Sequence, residues 1–271
     1  MSKSHLEPGG NAVAGPGDPT LKALVVEDNA VSQKLAVHLL KQQGYEVQIA
    51  GDGQAALEAA GRDAFDIVLL DLHLPDMEGD AVARRLRQAE PPGRHTAIIA
   101  LSAESASRER DRCLTSGMDG FLSKPLRAAD LSQVLLSTMP RGPHQPEASA
   151  RADSAKPESA KTAPTPAMKP DAQTGIPRRS PAWNQLVDSF GREWPQLMAR
   201  IHEAARAHDR DALLHAAHSL RGCAYVFGAT AASETLSRME DKARLQDWSA
   251  LQLLESQLQQ EIKELTASLN E

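Results

Sequence analysis

The chain has 271 residues, a formal net charge of −6 and ordinary fractions of hydrophobic (41%) and charged (24%) residues. This length is typical of about two domains. Residues 21–139 carry 13 Lys/Arg against 17 Asp/Glu, and residues 182–271 carry 9 against 13, so each part has a net charge of −4. Because nucleic-acid-binding domains usually present a basic surface, we expect no nucleic-acid partner for either part.

The cysteines and the hydropathy pattern indicate a cytoplasmic protein. Cys113 and Cys223 lie in different predicted helices and have neither a disulfide pattern nor metal-ligand spacing. No run approaches the roughly 18 apolar residues of a membrane span. Residues 1–20 are rich in Gly, Pro and Ala and lack the apolar core of a signal peptide, so we predict a disordered tail there.

Residues 21–139 alternate five times between a strand pattern and a helix pattern. Strict alternation requires a parallel sheet with right-handed crossovers and helices on both faces, which is an α/β doubly wound fold with five strands. The strands are predicted at 21–26, 45–50, 66–71, 96–101 and 119–123. The helices are predicted at about 30–43, 53–62, 79–90, 104–116 and 131–139.

The third predicted strand is a nearly continuous apolar run that ends on Asp71 and is followed by a turn containing Pro75 and Gly79. Such a run is typical of a buried central strand of a parallel sheet. Ligands bind at the carboxyl ends of the strands in these sheets, so Asp71 is a candidate site residue. Taken alone, the same carboxylate could equally well be a turn former or a helix cap.

Polar residues also follow three of the other four strands. Glu27 and Asp28 follow the first strand, Ser102 the fourth and Lys124 the fifth. Each could be explained without a site, as a solvated helix cap or a turn residue. In a parallel sheet, however, all these strand ends share one edge, and the joint occurrence favours a functional cluster.

Three carboxylates at one edge raise one another's pKa unless a cation or an ammonium group neutralises them. Mg²⁺ binds about six oxygens, and Asp28, Asp71 and a backbone carbonyl just after Asp71 could supply half of them, with Glu27 behind a water. Lys124 and Ser102 could contact an anion bound there. This set fits phosphoryl transfer, with Asp71 as the nucleophile and an acyl phosphate as its product.

Residues 140–181 include nine prolines among Ala, Ser, Lys and Thr, a composition that predicts a flexible linker. Residues 182–271 then show helical apolar stripes with short connections, which predict an all-α four-helix bundle. We expect Pro195 to interrupt the first helix and restart it.

His218 is the candidate reactive residue of the bundle. Gly222, one turn further on, exposes the imidazole to a partner, and Arg221 places a cation beside it. A neutral imidazole nitrogen is a good nucleophile near pH 7. A lone helical histidine more often has a surface or packing role, and His215 in the same helix is the next candidate.

Residues 21–139 resemble the receiver domain of two-component response regulators. The matching motifs are Glu27-Asp28, the stretch from Asp71 through Pro75 to Gly79, Ser102-Ala103, Phe121 and Lys124-Pro125. The resemblance implies that Asp71 is the phosphoacceptor and that Asp28, Asp71 and the carbonyl of His73 hold Mg²⁺, with direct ligation by Glu27 less certain. It also implies that Ser102 and Lys124 contact the phosphate and that the peptide before Pro125 is cis.

Residues 182–271 resemble the histidine phosphotransfer domain through Ala217-His218-Ser219-Leu220-Arg221-Gly222 and the following Phe227-Gly228-Ala229. The resemblance implies that His218 carries a phosphoryl group. Arg221 stands where lysine is usual, which keeps the charge but changes the geometry of a phosphate contact.

The two resemblances together predict a phosphorelay intermediate that uses no ATP itself. A sensor histidine kinase would phosphorylate Asp71, and His218 would pass phosphate on to the receiver of a partner. The alternative is a binding module that Asp71 phosphorylation switches, with His218 serving a separate pathway. A DNA-binding output role for the C-terminal half is a third hypothesis, which its acidic charge opposes.

Overall fold

The computed structural model describes residues 20–102, 112–138 and 174–269. Its sheet consists of β1 (Lys22–Val26), β2 (Glu46–Ala50), β3 (Ile67–Asp71), β4 (Ala97–Ser102) and β5 (Gly120–Ser123). All neighbouring strands are parallel and follow the order β2-β1-β3-β4-β5. The predicted five-stranded parallel sheet is therefore confirmed, and β3 lies at its centre.

Helices cover both faces of this sheet. They are α1 (Ala30–Gln42), α2 (Gly53–Arg62), α3 (Gly79–Ala89) and α4 (Ala128–Thr138). Buried residues of α1 and α4, such as Leu35 and Leu131, pack in one apolar cluster, and those of α2 and α3, such as Ala56 and Val82, pack in another. The predicted helix at 104–116 lies largely outside the described residues, although 112–115 are helical.

The C-terminal part is an antiparallel bundle of α5 (Pro181–Ala207), α6 (Arg210–Val226), α7 (Thr230–Arg244) and α8 (Trp248–Leu269). Residues of the helical apolar stripes, such as Leu213, Leu220 and Met239, are fully buried. No helix in the described ranges combines the length and the apolarity that crossing a membrane requires.

One local prediction is wrong: α5 runs through Pro195 as a single helix of 27 residues. A proline leaves the carbonyl four residues earlier without its helical hydrogen bond. That residue is Gly191, which is exposed, so water can solvate the carbonyl and the helix can continue.

The segment just before the bundle is packed rather than extended away from it. Ile176 lies inside the predicted linker, yet it is only 2% exposed and belongs to the apolar cluster of the bundle. Arg178 stacks over the ring of Trp183 in the first turn of α5. The domain boundaries themselves remain predictions.

The bundle packs directly on the α/β domain. Helix α1 contacts both α5 and α6. One apolar cluster runs without a break from Val31 and Leu35 of α1 to Phe190, Leu197 and Leu220 of the bundle. This contact brings α6, the helix that carries His218, to the carboxyl edge of the sheet.

Candidate functional site

Three carboxylates meet at the carboxyl edge of the sheet. Glu27 and Asp28 directly follow β1, and Asp71 is the last residue of the adjacent strand β3. Each residue offers an oxygen, and these oxygens all lie within 4.8 Å of one another. The parallel register explains this proximity, because Val26 pairs with Leu70 and the next residue of each strand is an acid.

Lys124 joins two of these carboxylates. Its Nζ lies 2.7 Å from Glu27 Oε2 and 2.8 Å from Asp71 Oδ2, with the side chain 7% exposed. Burial alone would lower the pKa of Lys124, but the Asp71 and Glu27 carboxylates outweigh it and hold the pKa above its usual value. The ammonium group therefore stays charged and neutralises part of the cluster.

Burial acts on the Glu27 carboxyl in the opposite direction to the Lys124 ammonium, because in each case it disfavours the charged form. It raises the pKa of Glu27 to about 8; Lys124 opposes this shift, and the charges of Asp71 and Asp28 add to it. A buried group of three acids with one lysine keeps a deficit of positive charge. Closely spaced carboxylate oxygens are the hard donors that Mg²⁺ prefers, so the residues present fit a magnesium ion.

The turn after Asp71 is held tightly against the site. Gly79 N donates to the Leu72 carbonyl at 2.8 Å, and a Cβ on Gly79 would lie 2.3 Å from the Asp71 carbonyl oxygen. Only glycine therefore allows this close approach. Within the turn, His73 N donates to Asp71 Oδ1 at 3.3 Å, which orients the carboxylate.

Ser102 and Lys124 are positioned by the pairing of β4 with β5. Lys124 N donates to the Ser102 carbonyl at 2.7 Å, and Ser102 is 1% exposed. The Lys124–Pro125 peptide is cis, which confirms that expectation. The two side chains thus stand at the same sheet edge as Asp71.

His218 lies opposite this edge, on α6. Its ring packs edge-on against the ring of His73, with 4.6 Å between centroids. A cavity of about 350 Å³ opens beside the two rings and is lined by both domains. The residue two positions after Asp71 therefore contacts the candidate histidine directly.

Arg221 sits beside His218 but is not free to swing toward solvent. Its Nη2 lies 3.3 Å from His218 Nδ1, its Nε lies 3.3 Å from Glu240 Oε1, and the residue is 5% exposed. Burial, with help from the nearby charges of Lys124, His73, Arg221 and His215, holds the pKa of His218 well below its usual value. The imidazole is therefore neutral near pH 7, as a nucleophile must be.

Two further residues of α6 reach across to the acidic cluster. Ser219 Oγ donates to Asp28 Oδ2 at 3.0 Å, and His215 Nε2 lies 3.2 Å from the same oxygen. Burial would raise the pKa of Asp28. The hydrogen bond and the charge of His215, the charge of Lys124 and the hydrogen bond from the Ser219 hydroxyl outweigh burial, so the pKa of Asp28 is lowered. Asp28 therefore belongs both to the acidic cluster and to the contact between the domains.

The structure brings together every residue that the sequence singled out. Glu27, Asp28, Asp71 and Lys124 form one cluster, Ser102 adjoins it, and His73 links it to His218 and Arg221. Sequence reasoning missed Ser219, Glu193, Asn29 and Cys223, all of which act across the domain contact. Ser219 adjoins His218 in the phosphotransfer motif, but nothing in the sequence of either domain indicates that these four side chains contact the other domain.

Comparison with known proteins agrees with this geometry. Residues 23–136 match the response regulator receiver domain, and residues 185–268 match the Hpt domain. The chain therefore contains a receiver domain and a histidine phosphotransfer (Hpt) domain.

The similarity to two curated proteins covers less than half of this chain. Hybrid signal transduction histidine kinase B of Dictyostelium discoideum is 35% identical over 130 residues, which are 44% of this chain and 7% of that protein. The sensor histidine kinase RcsC of Salmonella typhi is 38% identical over 112 residues, 41% of this chain and 12% of that protein. The chain thus spans only a small part of these relatives.

Solved structures include the receiver domain of sensor histidine kinase PA1611 from Pseudomonas aeruginosa PAO1, with a magnesium ion coordinated in its active site cleft. It is 36% identical and covers 44% of this chain and 98% of its own, with a TM-score of 0.41. Chemotaxis protein CheY4 of Vibrio cholerae is 29% identical and covers 45% of this chain and all of its own, with a TM-score of 0.42.

Proposed function

We propose that this protein is a phosphorelay intermediate: the receiver domain accepts a phosphoryl group on Asp71, and the Hpt domain carries it onward on His218. The observation that supports this function best is that both stations meet at one interface, where His73 contacts His218 and Asp28 contacts Ser219. The alternative, in which the two domains serve separate pathways, gives no reason for this contact.

Asp71 has the surroundings that a phosphoacceptor needs. Its carboxylate would attack the phosphorus of a phosphohistidine on a sensor kinase, so that an O–P bond forms while the N–P bond breaks. Glu27, Asp28 and Asp71, with the carbonyl of His73, would hold Mg²⁺, whose charge offsets that of the phosphoryl oxygens. Lys124, already 2.8 Å from Asp71 Oδ2, would shift its hydrogen bond to a phosphoryl oxygen, where Ser102 would also donate.

His218 would take the group onward to an aspartate in the receiver of a partner protein. Its low pKa keeps a nitrogen lone pair available, and the Arg221 guanidinium places positive charge beside the ring. Glu240 fixes that guanidinium by an ion pair, so Arg221 is a positioning and charge-neutralising residue. Sensor kinases upstream and receivers downstream are therefore the expected partners.

Two substitutions test this assignment. We expect Asp71→Asn to abolish uptake of labelled phosphate from a cognate histidine kinase, because the nucleophilic oxygen is lost. We expect His218→Gln to leave uptake at Asp71 intact but to abolish transfer to a partner receiver. The measurement is a phosphotransfer profile of the full chain against the histidine kinases and receivers of the source organism.

The chemistry of the label separates the two stations, because an acyl phosphate is cleaved by base whereas phosphohistidine is cleaved by acid. His215→Gln is the matched control, since His215 lies in the same helix and also faces the receiver. If His218→Gln still passes phosphate on while His215→Gln does not, the assignment of the histidine is wrong. Base-labile label on Asp71→Asn would overturn the assignment of the acceptor.

Magnesium binding is a separate prediction. We expect the full chain to bind Mg²⁺ with a measurable heat in titration calorimetry, because three carboxylate oxygens lie within 4.8 Å of one another. Asp28→Asn should weaken binding at least about tenfold, and the exposed Asp63→Asn should leave it unchanged. Equal affinity in both variants would show that the acidic cluster is not the metal site.

A further inference from the structure

The receiver and the Hpt domain share an interface built around the N-terminus of α1. Asn29, the N-cap of α1, donates its side-chain amide to the Ser219 carbonyl at 3.2 Å and to Cys223 Sγ at 2.9 Å. Asn29 is 4% exposed and Cys223 is fully buried. Burial of a polar amide is costly unless it is hydrogen-bonded, and the Hpt domain supplies these acceptors.

Helix α5 contributes two more polar contacts. Glu193 Oε1 accepts from the backbone N–H of Ala30, at 2.8 Å, in the first turn of α1. A carboxylate at that position also interacts favourably with the helix dipole. One helical turn earlier on α5, Ser189 accepts a hydrogen bond from Lys34 Nζ.

The glycine one turn after His218 adjoins this contact. A Cβ on Gly222 would lie 3.7 Å from Ser32 Oγ of α1, at ordinary contact distance. The space left open by the missing side chain therefore faces α1 of the same chain. Around these polar contacts, apolar side chains from both domains form one continuous cluster.

We propose that the α1 surface of the receiver, defined as Asn29, Ala30, Ser32 and Lys34, is the docking site for the Hpt domain of the same chain. The proposal rests on the proposed function for its consequence, which is that Asp71 passes its phosphoryl group to the His218 of its own chain. The Hpt domain that fits this surface is thus part of the same chain.

Chain connectivity allows this docking. Residues 139–173 join α4 to the segment that precedes α5, and 35 residues can span at most about 120 Å. A tethered partner typically has an effective concentration in the millimolar range, well above that of a free partner protein. Docking within the chain therefore competes strongly with any free Hpt domain.

The transfer step balances within this pair. The lone pair of a His218 ring nitrogen forms the N–P bond while the bond between phosphorus and the Asp71 oxygen breaks. The electron pair of the broken bond stays on the Asp71 carboxylate, which Lys124 stabilises at 2.8 Å. The proton on the other ring nitrogen stays there or leaves to solvent, so no further reactant is needed.

Docking also controls access. Two proteins cannot occupy the same surface, and in the docked form His218 faces the receiver of its own chain. A downstream receiver can reach His218 only after the Hpt domain leaves α1. The chain thus holds its phosphoryl group between two of its own residues until it undocks.

A disulfide trap tests docking without any phosphoryl chemistry. We expect the full chain carrying Ser32→Cys and Gly222→Cys to form a disulfide between residues 32 and 222 under mild oxidation. The product should be monomeric, and the rate of disulfide formation should be the same over an about fifty-fold range of protein concentration, as an intrachain reaction requires. The control pair, Lys41→Cys with Gly222→Cys, should not form the bond, because residue 41 lies about 13 Å further along α1.

Peptide mapping distinguishes the expected bond from pairing with Cys223. The proposal is overturned if the 32–222 bond forms no faster than the control bond, or if it appears only in dimers. Because the readout is a disulfide, these outcomes stand whether or not Asp71 is ever phosphorylated.

Charge reversal on α1 gives the second test. Lys34→Glu removes the contact with Ser189 and should slow transfer from Asp71 to His218 at least about tenfold, while Asp71 still takes up label from the kinase. Lys41→Glu, the same substitution at the exposed end of α1, should transfer at the wild-type rate. Equal transfer rates in both variants would overturn the proposal, whereas absence of label in every protein would instead refute the proposed function.

Discussion

At the scale of single residues, the Asp71 site depends on how closely the following turn can approach it. Gly79 opens α3, and its Cα packs over the Asp71 carbonyl and the Leu72 backbone. A Cβ added to Gly79 would lie 2.3 Å from the Asp71 carbonyl oxygen and 2.8 Å from Leu72 Cα. Both obstacles are backbone atoms, so the turn itself would have to move.

We therefore predict that Gly79→Ala lowers the free energy of unfolding by about 1–3 kcal/mol, the usual range for overpacking, and reduces phosphoryl uptake at Asp71. Urea unfolding of the receiver, followed by circular dichroism, measures the first effect, and the kinase assay measures the second.

Gly61→Ala is the matched control, because Gly61 lies inside α2 with open space around it. This change should stabilise the protein by up to about 1 kcal/mol, since alanine favours helix. If Gly79→Ala is as stable and as active as Gly61→Ala, the close approach has no functional importance.

At the scale of single elements, α6 is the helix that carries His218, the proposed second phosphoryl station. It begins after Asp209, whose Oδ1 accepts from Ala212 N at 3.0 Å, and it presents His215, His218 and Ser219 to the receiver. A side-chain cap fixes where a helix starts and satisfies a backbone N–H that would otherwise lack a partner. The cap therefore anchors the helix on which His218 is placed.

We predict that Asp209→Ala destabilises the Hpt domain by about 1 kcal/mol, the typical cost of losing an N-cap. Asp211→Ala, two residues further on in the first turn, should cost less than about 0.5 kcal/mol, since Asp211 is exposed and caps nothing. Thermal unfolding of the two variants compares them. Equal losses would mean that the cap contributes only its charge.

At the scale of the whole molecule, the domain contact links the stability of the two domains. All three tryptophans, Trp183, Trp194 and Trp248, lie in the Hpt half of the sequence, so tryptophan fluorescence reports on that domain alone. Any interaction that exists only when the Hpt domain is folded adds to its stability. Docking on α1 is such an interaction.

Lys34 lies in the receiver, yet we predict that Lys34→Glu lowers the urea midpoint of the fluorescence transition. The free energy of unfolding of the Hpt domain should fall by about 1–3 kcal/mol. Lys41→Glu should leave the midpoint unchanged. A transition that is the same in both variants and in the wild type would show that docking contributes no stability to the Hpt domain.

The sequence by itself determined both folds. Alternation of strand and helix patterns, an apolar third strand and helical stripes follow from local backbone geometry and burial, which are periodic along the chain. It also predicted the acidic cluster, because the ends of parallel strands must share an edge. The helix through Pro195 was not predictable, since the exposure of Gly191 compensates for the lost hydrogen bond and only the packed structure reveals that exposure.

Only the tertiary structure decided that the helix carrying His218 lies against the sheet edge that carries Asp71. The hydrogen bonds across the domain contact involve Asn29, Glu193, Ser219 and Cys223. Each of these bonds joins residues more than 160 positions apart in the sequence, and such contacts leave no periodic pattern. Their pairing depends on the surface shapes and buried polar groups of two folded domains. The sequence therefore predicted two phosphoryl stations, and the fold places the sheet edge of one opposite the helix of the other in one chain.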